Sequence, residues 1–355
     1  MNITTPKTLQ IRTSPHIVRG LHTHDIMRNV VLALLPVAAF AIYAFGLAAL
    51  LVLSVATFSC VLTEHLICRL TGKDTTVGDW SAAISGMLYG LTLPPGLPLW
   101  MVAFGGIIGI AVGKALFGGL GQNAFNPALV GRAITQAAFP VAITTWYPAF
   151  AVERFQSLPS STLALPFMQP VWDAVTTATP LGTMKFEKQI TATYDLVMGF
   201  TSGSLGETSS LFILAGGFYL AARRMLNWRI PAAVLGTVAA LSGIFHWIDP
   251  QEFAGPMFML FSGGLMLGAV YMATDMVASP MTSKGVVLYG ALIGVLIVVI
   301  RYWGGLPEGV MYAILVANAV SPHIDSWIQP RVYGAKLKKE ADLRQEQIQT
   351  ESATR

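Results

Sequence analysis

The sequence predicts an all-α polytopic membrane protein of about ten transmembrane helices, arranged as two inverted-topology repeats with broken helices. Three observations carry that expectation: a composition too apolar for a soluble surface, basic residues sorted to one side of the apolar spans, and internal matches at one constant offset. Apolar residues make up 54% of the 355 and charged residues only 11%, with a mean hydropathy of +0.61. A soluble domain carries roughly 25% charge, so this surface belongs in a bilayer. The 34 glycines and 20 prolines suit membrane helices, which tolerate both.

A span needs about 20 mostly apolar residues. On that rule spans fall near 29–46, 48–68, 80–97, 99–116, 122–141, 208–226, 230–248, 257–274, 285–302 and 307–328. With the N-terminus in the cytoplasm, the inner segments hold 17 of the 22 basic residues. The outer segments hold only Arg154, Lys185 and Lys188. The opposite orientation would violate the positive-inside tendency. Both termini are therefore expected in the cytoplasm of a bacterial inner membrane. The chain divides into a cytoplasmic segment 1–28, a first membrane repeat 29–141, an outer loop 142–207, a second repeat 208–328 and a polar tail 329–355. The net charge of +4 follows from this topology and points to no nucleic acid. Cys60 and Cys68 lack CxxC spacing and read as packing residues,. His22 and His24 form an isolated HxH beside Asp25, so no metal site is expected,.

The repeats show as paired strings. Gly105-Gly-Ile-Ile-Gly109 matches Gly290-Ala-Leu-Ile-Gly294, Phe117-Gly-Gly-Leu120 matches Trp303-Gly-Gly-Leu306, and Ala128 to Ala133 matches Ile314 to Ala319, all at an offset of 185 or 186. The third span maps onto the eighth, an odd displacement, so the repeats are inverted. Interrupted segments at corresponding positions point to a site within such proteins. Here they are Leu91-Thr-Leu-Pro-Pro-Gly96 and Met276-Val-Ala-Ser-Pro280.

Several segments offer chemistry. Gly118-Gly-Leu-Gly-Gln-Asn-Ala-Phe-Asn-Pro127 carries Gln122, Asn123 and Asn126. Their amides suit the carbonyl and ring-nitrogen edge of an isoalloxazine, and equally a capped helix start. Acidic residues in spans are functional candidates: Asp275 and Glu64 lie near inner ends, and Glu207 at the outer end of the sixth span. Each has an alternative reading as an interfacial or helix-end charge. Arg132 and Arg301 could neutralise a carboxylate or a phosphate. Trp172-Asp-Ala-Val-Thr-Thr-Ala-Thr-Pro-Leu181 is a threonine-rich island on the outer loop. By composition it reads as a turn before Pro180.

Taken together, the Gly/Asn string, Asp173 to Leu181, Gly203-Ser-Leu-Gly-Glu-Thr-Ser209, Met272-Ala-Thr-Asp275 and Gln329-Pro-Arg-Val-Tyr-Gly334 resemble the RnfD-type membrane component of the Rnf ion-translocating oxidoreductase (electron transport) complexes. They are also similar to the B-type membrane component of the sodium-pumping NADH:quinone reductase. The short N-terminus and the Pro-Arg-Val-Tyr-Gly ending favour the Rnf side. The resemblance implies a membrane subunit that relays electrons through FMN held by a phosphoester to Thr179. It implies coupling of ferredoxin/NAD electron transfer to Na⁺ or H⁺ movement. Thr177 stands where such sites commonly have glycine. A second, noncovalent flavin (riboflavin or FMN) is implied in the membrane part, with Gln122, Asn123 and Asn126 as candidate contacts. Asp275, Glu64 and Glu207 are candidates for the ion route. Implied partners are other Rnf subunits, one of them a second carrier of covalent flavin, together with a flavin transferase, the transported ion and membrane lipid. The competing classes are the quinone reductase component and a non-redox inverted-repeat channel or transporter.

Overall fold

A computed structural model describes residues 22–166, 168 and 177–329. Thr176, Asp173, the first 21 residues and the tail from 330 lie outside them. Every regular element among the described residues is helical. Four helices are long and apolar enough to cross a membrane unaided: α1 (Thr23–Phe45), α2 (Leu47–Leu70), α10 (Arg229–Ile248) and α13 (Ser283–Trp303). The remaining passes are built from shorter pieces, as the Gly and Pro positions require.

The first repeat starts with α1 and α2, joined at Gly46. Its φ of +72° and the closeness of the Arg154 carbonyl leave no room for a Cβ. Arg154 closes this corner from the long loop: its backbone carbonyl accepts from Leu47 N at 3.0 Å, and its Nε donates to the Tyr43 carbonyl at 2.9 Å. Next, α3 (Ser81–Leu91) stops well before the expected end of its span, because Pro94 and Pro95 cannot continue a helix,. The non-helical stretch 92–98 is mostly buried, and the loop caps it, with Ser161 Oγ donating to the Gly96 carbonyl at 2.7 Å. Then α4 (Leu99–Ile110) returns and passes into a π-helical turn, Ala111–Ala115.

Asn126 caps α5 (Pro127–Ala138) by accepting from Ala128 N at 3.0 Å, with Pro127 at the first helical position,. Glycines let α4 and α5 touch backbone to backbone: a Cβ on Gly131 would lie 2.7 Å from the Gly105 carbonyl, and one on Gly109 would lie 2.9 Å from that of Pro127. Small residues at such crossings are the usual membrane solution. A short helix, α6 (Pro140–Ile143), leads into the long loop.

That loop contains α7 (Pro180–Gly182), a π turn Thr183–Glu187 and α8 (Thr193–Met198). The second repeat is α9 (Ser210–Ala222), α10, α11 (Pro256–Phe261), α12 (Leu265–Leu267) with the π turn Gly268–Met272, α13 and α14 (Val310–Trp327). The two repeats pack alike, α2 on α4 and α4 on α5 corresponding to α10 on α13 and α13 on α14. The eighth span, read from sequence as one run over 257–274, is split at Ser262-Gly-Gly264, where Gly263 takes φ +64°. It ends at Met272, and the irregular stretch 273–282 is the inverted counterpart of 92–98.

Candidate functional site

Two cavities mark the two faces. The larger, of about 520 Å³, lies beneath the long loop and is lined by residues that include Thr92, Arg132, Thr177, Thr179, Glu207 and Glu308. It thus touches the first helix break, α5, the threonine island and the starts of α9 and α14. The smaller, of about 120 Å³, lies against the 273–282 stretch and includes Lys114, Asn123, Asn126 and Asp275.

Thr179 is only 8% exposed. It is the N-cap of α7: its Oγ1 accepts from Gly182 N at 3.1 Å, and Pro180 takes the first helical position. Ser/Thr followed by Pro is a strong local signal for such a start. Six residues on, Lys185 holds this segment down. Its Nζ donates to the carbonyls of Arg301 and Leu306, each at 3.1 Å, and also to that of Gly304. Those groups close the C-terminal end of α13, where a cation is favoured. Partial burial pulls the Lys185 pKa below the ordinary lysine value,. Thr177, also on the cavity wall, has a buried hydroxyl with no hydrogen-bond partner among the described residues.

The charged floor of the larger cavity joins both repeats. Arg132 is buried and donates from Nη1 to the Thr92 carbonyl at the first break. Arg301 is buried too, and its Nη1 and Nη2 donate to the carbonyls of Met259 and Ser262, at 2.6 and 2.9 Å, beside the Ser262–Gly264 break. Freed carbonyls at membrane depth need such donors. Both arginines lie within electrostatic reach of Glu207 and Glu308. Neither forms a direct ion pair: the one ion pair among the described residues is Lys114–Glu64. Glu308 accepts from Gly264 N, which ties the start of α14 to the eighth-span break.

On the opposite face the sequence candidates separate. Asn123 meets Asp275 and Asn126 the turn before it: Asn123 Nδ2 donates to Asp275 Oδ2 at 3.4 Å, and Asn126 Nδ2 to the Met272 carbonyl at 3.2 Å. Asp275 also accepts from Val277 N at 3.0 Å, which shapes the irregular stretch. Gln122 is exposed and is not among the residues lining this cavity. Glu64 lies away from Asp275's partners, in a buried network with Lys114 at 2.7 Å and the Thr76 hydroxyl. The same ammonium reaches Ser81 Oγ at 2.5 Å.

Sequence reasoning misses Lys114, Lys185, Thr92 and Glu308. Lys114 reads as one of the inner-loop charges, yet a basic residue just before a Gly-Gly turn and inside an apolar run is a membrane charge needing a partner. Arg301 stands in a similar place ahead of the second Gly-Gly, on the other face. Lys185 and Glu308 sit in loops, where nothing in the pattern announces a partner distant along the chain.

The larger cavity is within the size range of small-molecule sites, about 300–1,000 Å³. It offers a hydroxyl without a partner among the described residues, a guanidinium and two carboxylates beside a threonine oxygen. Residues 10–334 match the family described as NQR2, RnfD, RnfE. The chain is 40% identical over 336 residues to the D-type subunit of the proton-translocating ferredoxin:NAD(+) oxidoreductase complex of Clostridium ljungdahlii, covering 92% of this chain and 96% of that protein. It is 40% identical over 338 residues to the Na(+)-translocating counterpart of Acetobacterium woodii, covering 94% and 98%. To the D-type subunit of the ion-translocating oxidoreductase complex of Halorhodospira halophila it is 36% identical over 340 residues, covering 92% and 95%. The fold of inverted repeats with broken helices, the match along nearly its whole length and these end-to-end relatives together place the chain in the NQR2, RnfD, RnfE family.

Proposed function

We propose that this chain is the RnfD-type membrane component of an ion-translocating ferredoxin:NAD oxidoreductase complex, and that it relays electrons through FMN esterified to Thr179. The observation that carries the reading is the placement of Thr179 on the wall of a 520 Å³ cavity, in a chain whose full-length relatives bear that complex's name. A flavin supplies one- and two-electron chemistry, and the protein supplies position and electrostatics. The residues suit that role. Thr179 provides the ester oxygen, Thr177 an uncommitted hydroxyl, Arg132 a cation, and the Lys185 anchor holds the segment over the cavity.

The loop face is then the outer side of the bacterial inner membrane, with both termini in the cytoplasm. The other complex subunits, among them a second flavin carrier, exchange electrons with this one. A flavin transferase is the modifying partner. Sodium or proton is the transported ion, and relatives of equal identity are named for each. Asp275, Glu64 and Glu207 remain its candidate stations. For a second, noncovalent flavin the amides of Asn123 and Asn126 suit the ring edge. The 120 Å³ of their cavity is below the usual ligand range, so the site in this conformation does not fit that group.

The test is direct. The chain is co-expressed with a flavin transferase, run on a denaturing gel and viewed under ultraviolet light, and the peptide spanning Ala174 to Lys185 is weighed. A fluorescent band and a peptide heavier by one FMN less water support the reading. A dark band with an unmodified peptide overturns it and leaves a non-redox transporter. Ferredoxin–NAD activity in the purified native complex, against NADH–quinone activity, separates it from the quinone reductase component.

A further inference from the structure

Of the two buried arginines at the helix breaks, only Arg132 faces the cavity beside Thr179. Arg301 commits Nη1 and Nη2 to the carbonyls of Met259 and Ser262 and is not among the lining residues. Arg132 donates from Nη1 to one carbonyl, that of Thr92, although a guanidinium carries five N–H donors and is always charged. It is 7% exposed, and no carboxylate lies within ion-pair distance of it among the described residues. A single hydrogen bond to a carbonyl offsets little of the cost of desolvating a full charge. Charges inside a membrane protein are retained mainly where they act. Glu207 shares the cavity wall, is likewise 7% exposed, and lies within electrostatic reach of Arg132.

We propose that Arg132 sets the electron affinity of the group carried at Thr179, with Glu207, once ionised, as its opposing charge. The inference rests on the reading that Thr179 carries a flavin. A flavin ring gains negative charge when it accepts an electron. A fixed cation on the cavity wall favours that state and an ionised carboxylate disfavours it, since charges near the ring tune its potential. Burial and the neighbouring Glu308 push the Glu207 carboxyl up to about 8, so it opposes Arg132 only above that pH. The closer such a charge lies to the ring and the less solvent stands between them, the larger the effect. Arg132 is therefore a positioning and electrostatic residue for the ring, while Arg301 serves the fold. A guanidinium could instead hold the ester phosphate. That role would change how much flavin is retained and leave its potential alone.

The experiment uses the full chain, flavinylated and purified in detergent, with the midpoint potential read from visible absorbance during a redox titration. At about pH 9, where Glu207 is ionised, Arg132→Gln should lower the potential and Glu207→Gln should raise it. Each should shift the reduced-to-oxidised ratio at a fixed potential by on the order of tenfold. Arg132→Lys, which keeps the charge, should stay near the parent. Glu207→Gln is nearly isosteric and keeps the test open if Arg132→Gln fails to fold. A flavinylated chain whose potential ignores both neutralisations overturns the proposal. So does a shift equal in Arg132→Gln and Arg132→Lys, or a loss of bound flavin with unchanged potential. A parent chain without bound flavin overturns the underlying reading, and this one with it.

Discussion

The Lys114 ammonium lies 2.7 Å from the Glu64 carboxylate, each side chain about 5% exposed, which joins the end of the fourth span to the second. Glu64 Oε2 has no partner among the described residues, so the carboxylate depends on Lys114 and the Thr76 hydroxyl. Removing one member of a buried pair leaves an uncompensated charge. Lys114→Met should therefore destabilise the chain by about 3–5 kcal/mol. The Lys114→Met/Glu64→Gln double variant should recover much of that loss. Thermal unfolding in detergent checks both, and a double variant no better than the single one would show that the charge pair is not the cause.

Thr179→Val should abolish covalent flavin fluorescence on a denaturing gel, whereas Thr176→Val should retain it. Darkening by the Thr176 change alone would move the acceptor.

Lys185→Gln should loosen the segment that carries Thr179, because the three carbonyls at the end of α13 lose their cation. Met184 is 6% exposed in the seated segment. A cysteine placed there should react slowly with a membrane-impermeant maleimide, and faster by several-fold once Lys185 is replaced. Equal rates would show that the segment is held by other contacts.

Gly131→Ala should separate α4 from α5, since the new Cβ would meet the Gly105 carbonyl at 2.7 Å. Overpacking of this kind costs roughly 1–3 kcal/mol. A lowered thermal midpoint reads it out, and an unchanged midpoint would mean the helix pair yields without strain.

Asp275→Asn should slow ion uptake into vesicles holding the native complex, with the flavin fluorescence on a denaturing gel equal to the parent's. Full transport would remove Asp275 from the route.

Much of the fold is legible in the chain itself. Span positions follow from hydropathy, and the break at Pro94-Pro95 from the chemistry of proline. The split at Ser262–Gly264 is not legible, because two glycines inside an apolar run look like ordinary membrane packing. The proposed acceptor, Thr179, comes from the family pattern; composition alone suggests a turn, and Thr179 caps a short helix. Asn123, Asn126 and Asp275, separate candidates in the sequence, line one cavity. Glu64 does not line their cavity; it sits behind it, paired with Lys114, which does. The role of Arg132 at Thr92 needs the fold, since the two are brought together by a break whose direction no periodicity reveals.

Thr179's depth also bears on how the protein is made. With α7 seated, its hydroxyl accepts from Gly182 N and the residue is 8% exposed, which leaves a modifying enzyme little surface to approach. On the proposed reading, the ester would form while the segment is still open, before Lys185 reaches α13. Modification would then be a step of maturation, and a chain that folds first would stay bare.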